Sequence, residues 1–154
     1  ERFAACDLAA VAHEVLAELA PAAHARGVAI ALDAAPPMSL RGDAALLHVL
    51  IRNLVDNAVR YGASGRNVHV AIARAASGVT LRVEDAGPGI APAERPHVLG
   101  RFHRGLGTGE SGAGLGLAIA ERIATLHGAS ISLGDGPSGR GLAVTVSFPP
   151  GTAA

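Results

Sequence analysis

Apolar residues recur at helical spacing in three stretches of the chain, Leu8–Ala22, Leu46–Tyr61 and Leu115–Leu126. Asp7 and Asp43 precede the first two stretches, and Asp is a preferred residue at the N-cap of a helix. The pattern therefore predicts three helices that each bury one apolar side, with the third beginning after the segment GAGLG.

Shorter apolar or alternating stretches between these helices are typical of β-strands. They lie at 28–32, 67–75, 78–87, 130–134 and 142–148, with a further brief strand at 38–40. The order of elements is α-β, α-β-β, an irregular segment, then α-β-β. This order predicts an α/β (α+β) two-layer sandwich, in which the helices pack on one face of a mixed sheet.

Residues 86–112 show no regular pattern except for a short helix predicted near 92–99. Loops this long within a compact domain are usually functional lids or disordered segments. We therefore expect one domain over 1–154 with a mobile lid at about 91–111.

Composition excludes several classes of partner. The chain has 154 residues, and 13 basic residues balance 13 acidic ones, so neither nucleic acid nor an anionic membrane surface is an expected partner. A single cysteine permits no intrachain disulfide, which fits a reducing compartment. No apolar run is long enough to span a bilayer, so we expect no membrane insertion of this chain.

Two asparagines interrupt the second predicted helix. Asn53 and Asn57 are four residues apart and therefore share one side of the helix, and Tyr61 extends the stripe by a turn. An exposed face is the commonest location for Asn, but most neighbouring positions here are apolar. A side-chain amide oxygen suits Mg²⁺ that phosphates already hold, so the stripe suggests a metal–phosphate site.

The segment VEDAGPGI, at 83–90, places Asp85 at the end of a predicted strand, followed by Gly87 and Gly89. A tight turn is one interpretation, because Asp, Gly and Pro are common turn residues. The functional interpretation is a carboxylate that accepts a hydrogen bond from an exocyclic amine. The glycines would then let a flat ring approach the backbone.

The segment SGAGLGLAIAERI, at 111–123, places Gly112, Gly114 and Gly116 before the third predicted helix. Free backbone N–H groups at the start of a helix form an anion site, which the helix dipole strengthens. The segment lacks the GxxxxGK[ST] pattern of a Walker loop, and its late position does not fit a dinucleotide fold. A glycine-rich hinge is the alternative.

The order of these segments resembles the ATP-binding domain shared by sensor histidine kinases, type II topoisomerases, heat-shock chaperones and mismatch-repair ATPases. The details resemble a bacterial sensor histidine kinase. NLVDNAVRYG is similar to its N box, VEDAGPGI to its first glycine box, RFHRG to its F box and GAGLGLAIAERIATLHG to its second glycine box. The resemblance covers nearly the whole chain and implies a protein histidine kinase that uses ATP and Mg²⁺.

The resemblance also implies roles for the matched residues. Asn57 would bind Mg²⁺, Asn53 would line the same phosphate site and Arg60 would face the phosphates, and these three form the expected catalytic group. Asp85 would accept the adenine amine. The full set expected to contact ATP is Asn53, Asn57, Arg60, Tyr61, Asp85, Gly87, Gly89, Ile90, Phe102, Arg104, Gly112, Gly114, Leu115, Gly116 and Leu117.

Two positions depart from the family's pattern. Asn53 stands where relatives that hydrolyse ATP efficiently carry a Glu that activates water. An amide cannot take that proton, so transfer to another nucleophile is expected over hydrolysis. Leu142 follows Gly141 where many relatives have a Thr, so the resemblance does not extend to one water-mediated adenine contact.

The phosphate acceptor is not expected within this chain. His13 begins HEVLAELAP, which superficially resembles the family's acceptor box, but Pro21 lies too far along. The other histidines show no metal-ligand spacing and are expected to be ordinary surface or core residues. Because the chain begins with Glu1 rather than Met, we expect it to be a piece of a longer protein.

The resemblance therefore implies two partners. They are the upstream dimerisation and phosphoacceptor domain of the same kinase and, through the full-length kinase, a response regulator. The expected location is cytoplasmic, as the cytoplasmic part of an inner-membrane sensor protein. Two alternatives stay open: a stand-alone Ser kinase of the anti-sigma-factor type, and a non-catalytic switch module that responds to nucleotide.

Overall fold

Helices and strands alternate along the chain in the computed structural model, which describes residues 3–34, 37–61, 67–85, 111–136 and 141–150. In chain order the elements are β1 (Ala4–Asp7), α1 (Leu8–Ala25), β2 (Ala29–Ala34), β3 (Ser39–Gly42), α2 (Ala44–Tyr61), β4 (Asn67–Ala75), β5 (Gly78–Asp85), α3 (Ser111–Leu126), β6 (Ser130–Asp135) and β7 (Leu142–Phe148).

Five of the strands form one mixed sheet, in the order β2-β4-β5-β7-β6. The pair β2–β4 is parallel and the other three pairs are antiparallel. The short strands β1 and β3 pair with each other in a separate antiparallel ribbon. The predicted mixed sheet with helices packed on it is confirmed.

The core lies between the sheet and the helices. Burial alternates along the central strands because successive side chains point to opposite faces of a sheet. The helix α2 packs between α1 and α3 and contacts β4 and β5. Besides Gly78, the buried residues of β4, β5 and β7 are Val68, Val70, Ile72, Val79, Leu81, Val83, Asp85, Leu142, Ala143, Val144, Val146 and Phe148.

Aspartate residues begin the first two helices, as the sequence predicts. The Asp7 carboxylate accepts hydrogen bonds from the backbone N–H groups of Ala9 and Met38, so it caps α1 and also holds the chain that enters β3. The Asp43 carboxylate accepts from the N–H groups of Ala45 and Leu46. Each cap satisfies donors that have no partner within the helix.

The hairpin between β4 and β5 turns at residues 76–77, close to the predicted position. Gly78 follows with a φ of 119°, a conformation that favours glycine. A Cβ atom at this residue would lie only 1.9 Å from the carbonyl oxygen of Phe148. Glycine is therefore required where β5 passes the end of β7.

The start of α3 and the strand β1 differ most from the prediction. The helix α3 begins at Ser111, four residues earlier than predicted, so its glycines lie within the helix. Glycine costs roughly 1 kcal/mol relative to Ala in a helix. The buried residues from Leu117 to Ala124 nevertheless anchor α3 against the core. Extending this helix by further turns avoids the cost of nucleating a new helix. The strand β1 was not predicted, because its four residues show no alternation of apolar and polar side chains. Its pairing with β3 identifies it as a strand.

Candidate functional site

The helices α2 and α3 meet at Asn53 and Gly116. The side-chain Nδ2 of Asn53 donates a hydrogen bond to the carbonyl oxygen of Val49, at 3.0 Å. The other end of the amide faces α3, since a Cβ atom at Gly116 would lie 3.5 Å from Asn53 Oδ1. The structure thus presents an amide oxygen to the glycine-rich first half of α3.

Asn57 lies one turn further along α2 and is half-buried, as is Asn53. Buried core residues flank both asparagines, so the amide stripe follows the boundary between core and solvent. Among the described residues, no group of three or more His, Cys, Asp or Glu side chains could hold a metal ion. Two neutral amide oxygens fit a Mg²⁺ ion whose other ligands are phosphate oxygens, and they do not fit an independent metal site.

Asp85 is the last residue of β5 and is only 7 % exposed. Its strand lies in the middle of the sheet, and its backbone neighbour on β7 is Leu142. An ionised carboxylate only accepts hydrogen bonds. A buried acceptor at the end of a central strand suits recognition of an N–H donor such as an exocyclic amine.

Arg60, predicted to face phosphates, pairs with a neighbour on its own helix. Its Nε atom lies 3.0 Å from Oδ2 of Asp56, and its side chain is 57 % exposed. The backbone carbonyl of Arg60 also accepts a hydrogen bond from Arg26. Asp56 was not among the predicted site residues, although a carboxylate and a guanidinium four residues apart on a helix indicate such a pair.

The glycine-rich segment lies at the start of α3. Gly112, Gly114 and Leu115 are helical, and the side chain of Leu117 is completely buried in the core. Leu117 can therefore contact a phosphate only through its backbone. The four N–H groups that begin a helix have no acceptor within it.

Several predicted site residues lie outside the described part of the chain. They are Gly87, Gly89, Ile90, Phe102 and Arg104, together with the helix predicted near 92–99 and the lid expected at about 91–111, apart from Ser111. The side chain of Tyr61, the last residue of α2, also lies outside the described part of the structure.

His127 was expected to be an ordinary surface or core residue; it is buried and also links two helices. The residue is 3 % exposed, and its two ring nitrogens bond Ile123 of α3 and the backbone of Asp43 at the start of α2. The sequence feature that could have indicated this role is a histidine directly after an apolar helix. Spacing along the chain could not show that Asp43 is its partner.

The family described as histidine kinase-, DNA gyrase B-, and HSP90-like ATPase matches residues 42–152. The sensor protein kinase PmrB of Pseudomonas aeruginosa is 39 % identical over 108 residues, which cover 70 % of this chain and 22 % of PmrB. The chain thus spans less than a quarter of that relative's length.

Two solved structures have the same fold. Full-length ShkA in complex with AMPPNP matches 99 % of this chain and 32 % of its own, with a TM-score of 0.82 and 29 % identity. The cytoplasmic segment of the histidine kinase QseC matches 97 % of this chain and 80 % of its own, with a TM-score of 0.73 and 26 % identity. None of the helices described here has the length and apolarity needed to traverse a bilayer.

Proposed function

Because the chain belongs to the histidine kinase-, DNA gyrase B-, and HSP90-like ATPase family, we propose that it binds ATP with Mg²⁺ and donates the γ-phosphoryl group to a histidine on another domain. The observation that carries the proposal is the convergence of Asn53 on α2 with Gly116 on α3. It brings the amide stripe to the helix whose glycine-rich start suits phosphate. The resemblance to sensor histidine kinases such as PmrB supports the choice of acceptor.

In this proposal, Asp85 recognises the base of the nucleotide. Its buried carboxylate accepts a hydrogen bond from the exocyclic amine of adenine. Guanine carries a carbonyl oxygen at the corresponding ring position, and two acceptors facing each other repel. The site should therefore discriminate adenine from guanine nucleotides. Gly87, Gly89 and Ile90 would adjoin the ring.

The phosphates lie, in this proposal, between the amide stripe and the start of α3. The backbone N–H groups of the first turn attract phosphate oxygens, and the helix dipole adds to this attraction. Arg60 is 57 % exposed and would turn from Asp56 to the phosphates. Arg104 and Phe102 would approach from the lid.

Mg²⁺ would be held by Asn57, with Asn53 beside it, and by the nucleotide's own phosphate oxygens. The ion supplies positive charge that offsets the charge on the transferred phosphoryl group. The bond from Asn53 Nδ2 to Val49 fixes the direction of that amide, so its oxygen points away from the Val49 carbonyl. The asparagines thus supply oxygen ligands without adding negative charge beside the phosphates.

Asn53 also favours phosphoryl transfer over hydrolysis. A general base must accept a proton at the operating pH, and a carboxamide does not. The nucleophile therefore has to be delivered and aligned by a partner, since phosphoryl transfer depends mainly on positioning and electrostatics. We assign that role to a histidine on the dimerisation domain of the parent kinase, which would pass the group to a response regulator.

The parent protein's location follows from the same resemblance. The QseC structure is of a cytoplasmic segment. We propose that this chain is likewise the cytoplasmic, ATP-binding part of a sensor protein.

Calorimetric titration tests nucleotide binding directly. The chain should bind ADP and ATP, with ATP binding strengthened by Mg²⁺, and should bind GDP at least tenfold more weakly. If titration with ADP at millimolar concentration produces no binding heat on the folded chain, the proposal is contradicted. Equal affinity for ADP and GDP would remove the role given to Asp85.

A further inference from the structure

His127 follows α3 directly and is packed on several sides. The Phe3 ring lies 4.6 Å away between centroids at an interplanar angle of 30°, and the Phe148 ring lies edge-on at 6.3 Å. A Cβ atom at Gly42 would come within 2.8 Å of His127 Cδ2. These contacts fix the ring at one position.

Two hydrogen bonds define the protonation state of this ring. Nδ1 of His127 lies 2.8 Å from the carbonyl oxygen of Ile123, and a carbonyl only accepts, so Nδ1 carries a proton. Nε2 lies 3.1 Å from the backbone nitrogen of Asp43, and a backbone N–H only donates, so Nε2 carries none. Both bonds together require the neutral imidazole in a single tautomer.

The bond to Asp43 holds the two helices of the site in register. Asp43 and Asn53 are ten residues apart along α2, and Gly116 and His127 are eleven residues apart along α3. At 1.5 Å per residue these separations are about 15 Å and about 16.5 Å. The helices therefore run antiparallel with matched contacts at both ends. A slip by one turn, about 5.4 Å, would break the first contact and move Asn53 away from Gly116.

We propose that His127 is a positioning residue of the nucleotide site: as a neutral imidazole bonded to Ile123 and Asp43, it fixes the axial register of α3 on α2. The effect of this register on nucleotide binding rests on the proposed function, and the register itself does not. His127 is remote along both helices from Asn53 and Gly116 and acts on the site only through the helices.

Two-dimensional NMR of the labelled chain tests the register without nucleotide. The His127 ring should show a protonated Nδ1 and an Nε2 without a proton. In His127→Phe the amide signals of Asp43, Gly116 and the Asn53 side chain should move, and in His127→Gln they should return part of the way to the parent positions. Gly116 and Asn53 signals that stay at the parent positions in folded His127→Phe would overturn the proposal.

Nucleotide affinity tests the consequence for the site. His127→Phe keeps a flat ring but loses both hydrogen bonds, so ADP should bind roughly tenfold more weakly at pH 8. His127→Gln keeps a neutral donor and acceptor and should recover part of the affinity. His48→Gln, on the other side of α2, is the control and should retain the parent's ADP affinity.

Two results distinguish this assignment from the proposed function. Folded His127→Phe with the parent's ADP affinity would contradict the positioning role of His127. A parent chain that binds no ADP would contradict the proposed function, while the NMR comparison would still decide the register.

Discussion

The carboxamide oxygen of Asn53 on α2 lies 3.5 Å from the position that a Cβ atom at Gly116 of α3 would occupy. A methyl group at residue 116 would thus touch this oxygen without displacing it. The contact joins two segments that are 63 residues apart in the sequence and that the proposed function assigns to the same phosphates. A substitution at residue 116 can therefore raise the stability of the chain while it lowers nucleotide affinity.

Gly116→Ala should stabilise the chain and weaken nucleotide binding. Alanine is favoured over glycine within a helix by up to about 1 kcal/mol, and the added methyl group makes only an ordinary contact. The same methyl group occupies space beside Asn53 Oδ1 that the phosphates need. Denaturant unfolding and ADP titration measure the two effects. Gly134→Ala on β6, where a Cβ atom meets nothing within 4 Å, should leave ADP affinity unchanged.

Asp85→Asn should weaken binding of all adenine nucleotides by roughly tenfold or more, because an unpaired buried polar group costs about 1–3 kcal/mol. The amide can present a donor where an acceptor is needed. Asp33→Asn, at an exposed position of β2, is the matched control. Parent-like ADP affinity in folded Asp85→Asn would make Asp85 a residue of the turn alone.

Asn57→Ala should reduce the Mg²⁺-dependent part of ATP affinity. Binding of ADP in the presence of a chelator should change much less, because the base-recognition group is intact. The comparison requires calorimetry with and without Mg²⁺. Asn67→Ala, at an exposed position of β4, controls for loss of an amide. Equal losses with and without the metal would indicate that Asn57 supports α2 instead.

The pKa of the Cys6 thiol is raised by burial, and further by the negative charges of Asp7 and Asp43. The folded chain therefore holds the thiol proton more tightly than the unfolded chain, so the free energy of unfolding should decline as pH rises past the ordinary thiol pKa. The pH midpoint of alkylation by iodoacetamide should lie above that of a small thiol. Asp7→Asn, which keeps a capping side chain, should lower this midpoint, and Asp33→Asn should not.

Local patterns were sufficient to predict most of the fold. Helical periodicity, the caps at Asp7 and Asp43 and strand alternation located three helices and the strands of the mixed sheet. The predicted start of α3 is too late, because glycine is a poor helix former and the burial of Leu117, which anchors the helix, is not visible in the local sequence. The strand β1 depends on a partner strand whose paired residues lie 32 to 38 positions away, which no local pattern shows.

The candidate site was predictable to a lesser extent. The order of four segments predicted an ATP-binding catalytic domain of the sensor histidine kinase type, and the family match and the relatives confirm this. The Ser kinase and switch alternatives receive no support from them. The roles of individual residues remain predictions. The pairing of Arg60 with Asp56 and of His127 with Asp43 depends on side-chain directions and long-range packing.

Incubation with ATP labelled at the γ-phosphate tests the central claim, that this chain holds the nucleotide while another domain supplies the histidine. The isolated chain should acquire no stable label and release little phosphate. With the dimerisation segment of its parent kinase, label should appear on a histidine of that segment as an acid-labile, alkali-stable phosphate, and Asn57→Ala should greatly reduce it. Stable label on the isolated chain, particularly on His13, or transfer to a serine would contradict the account.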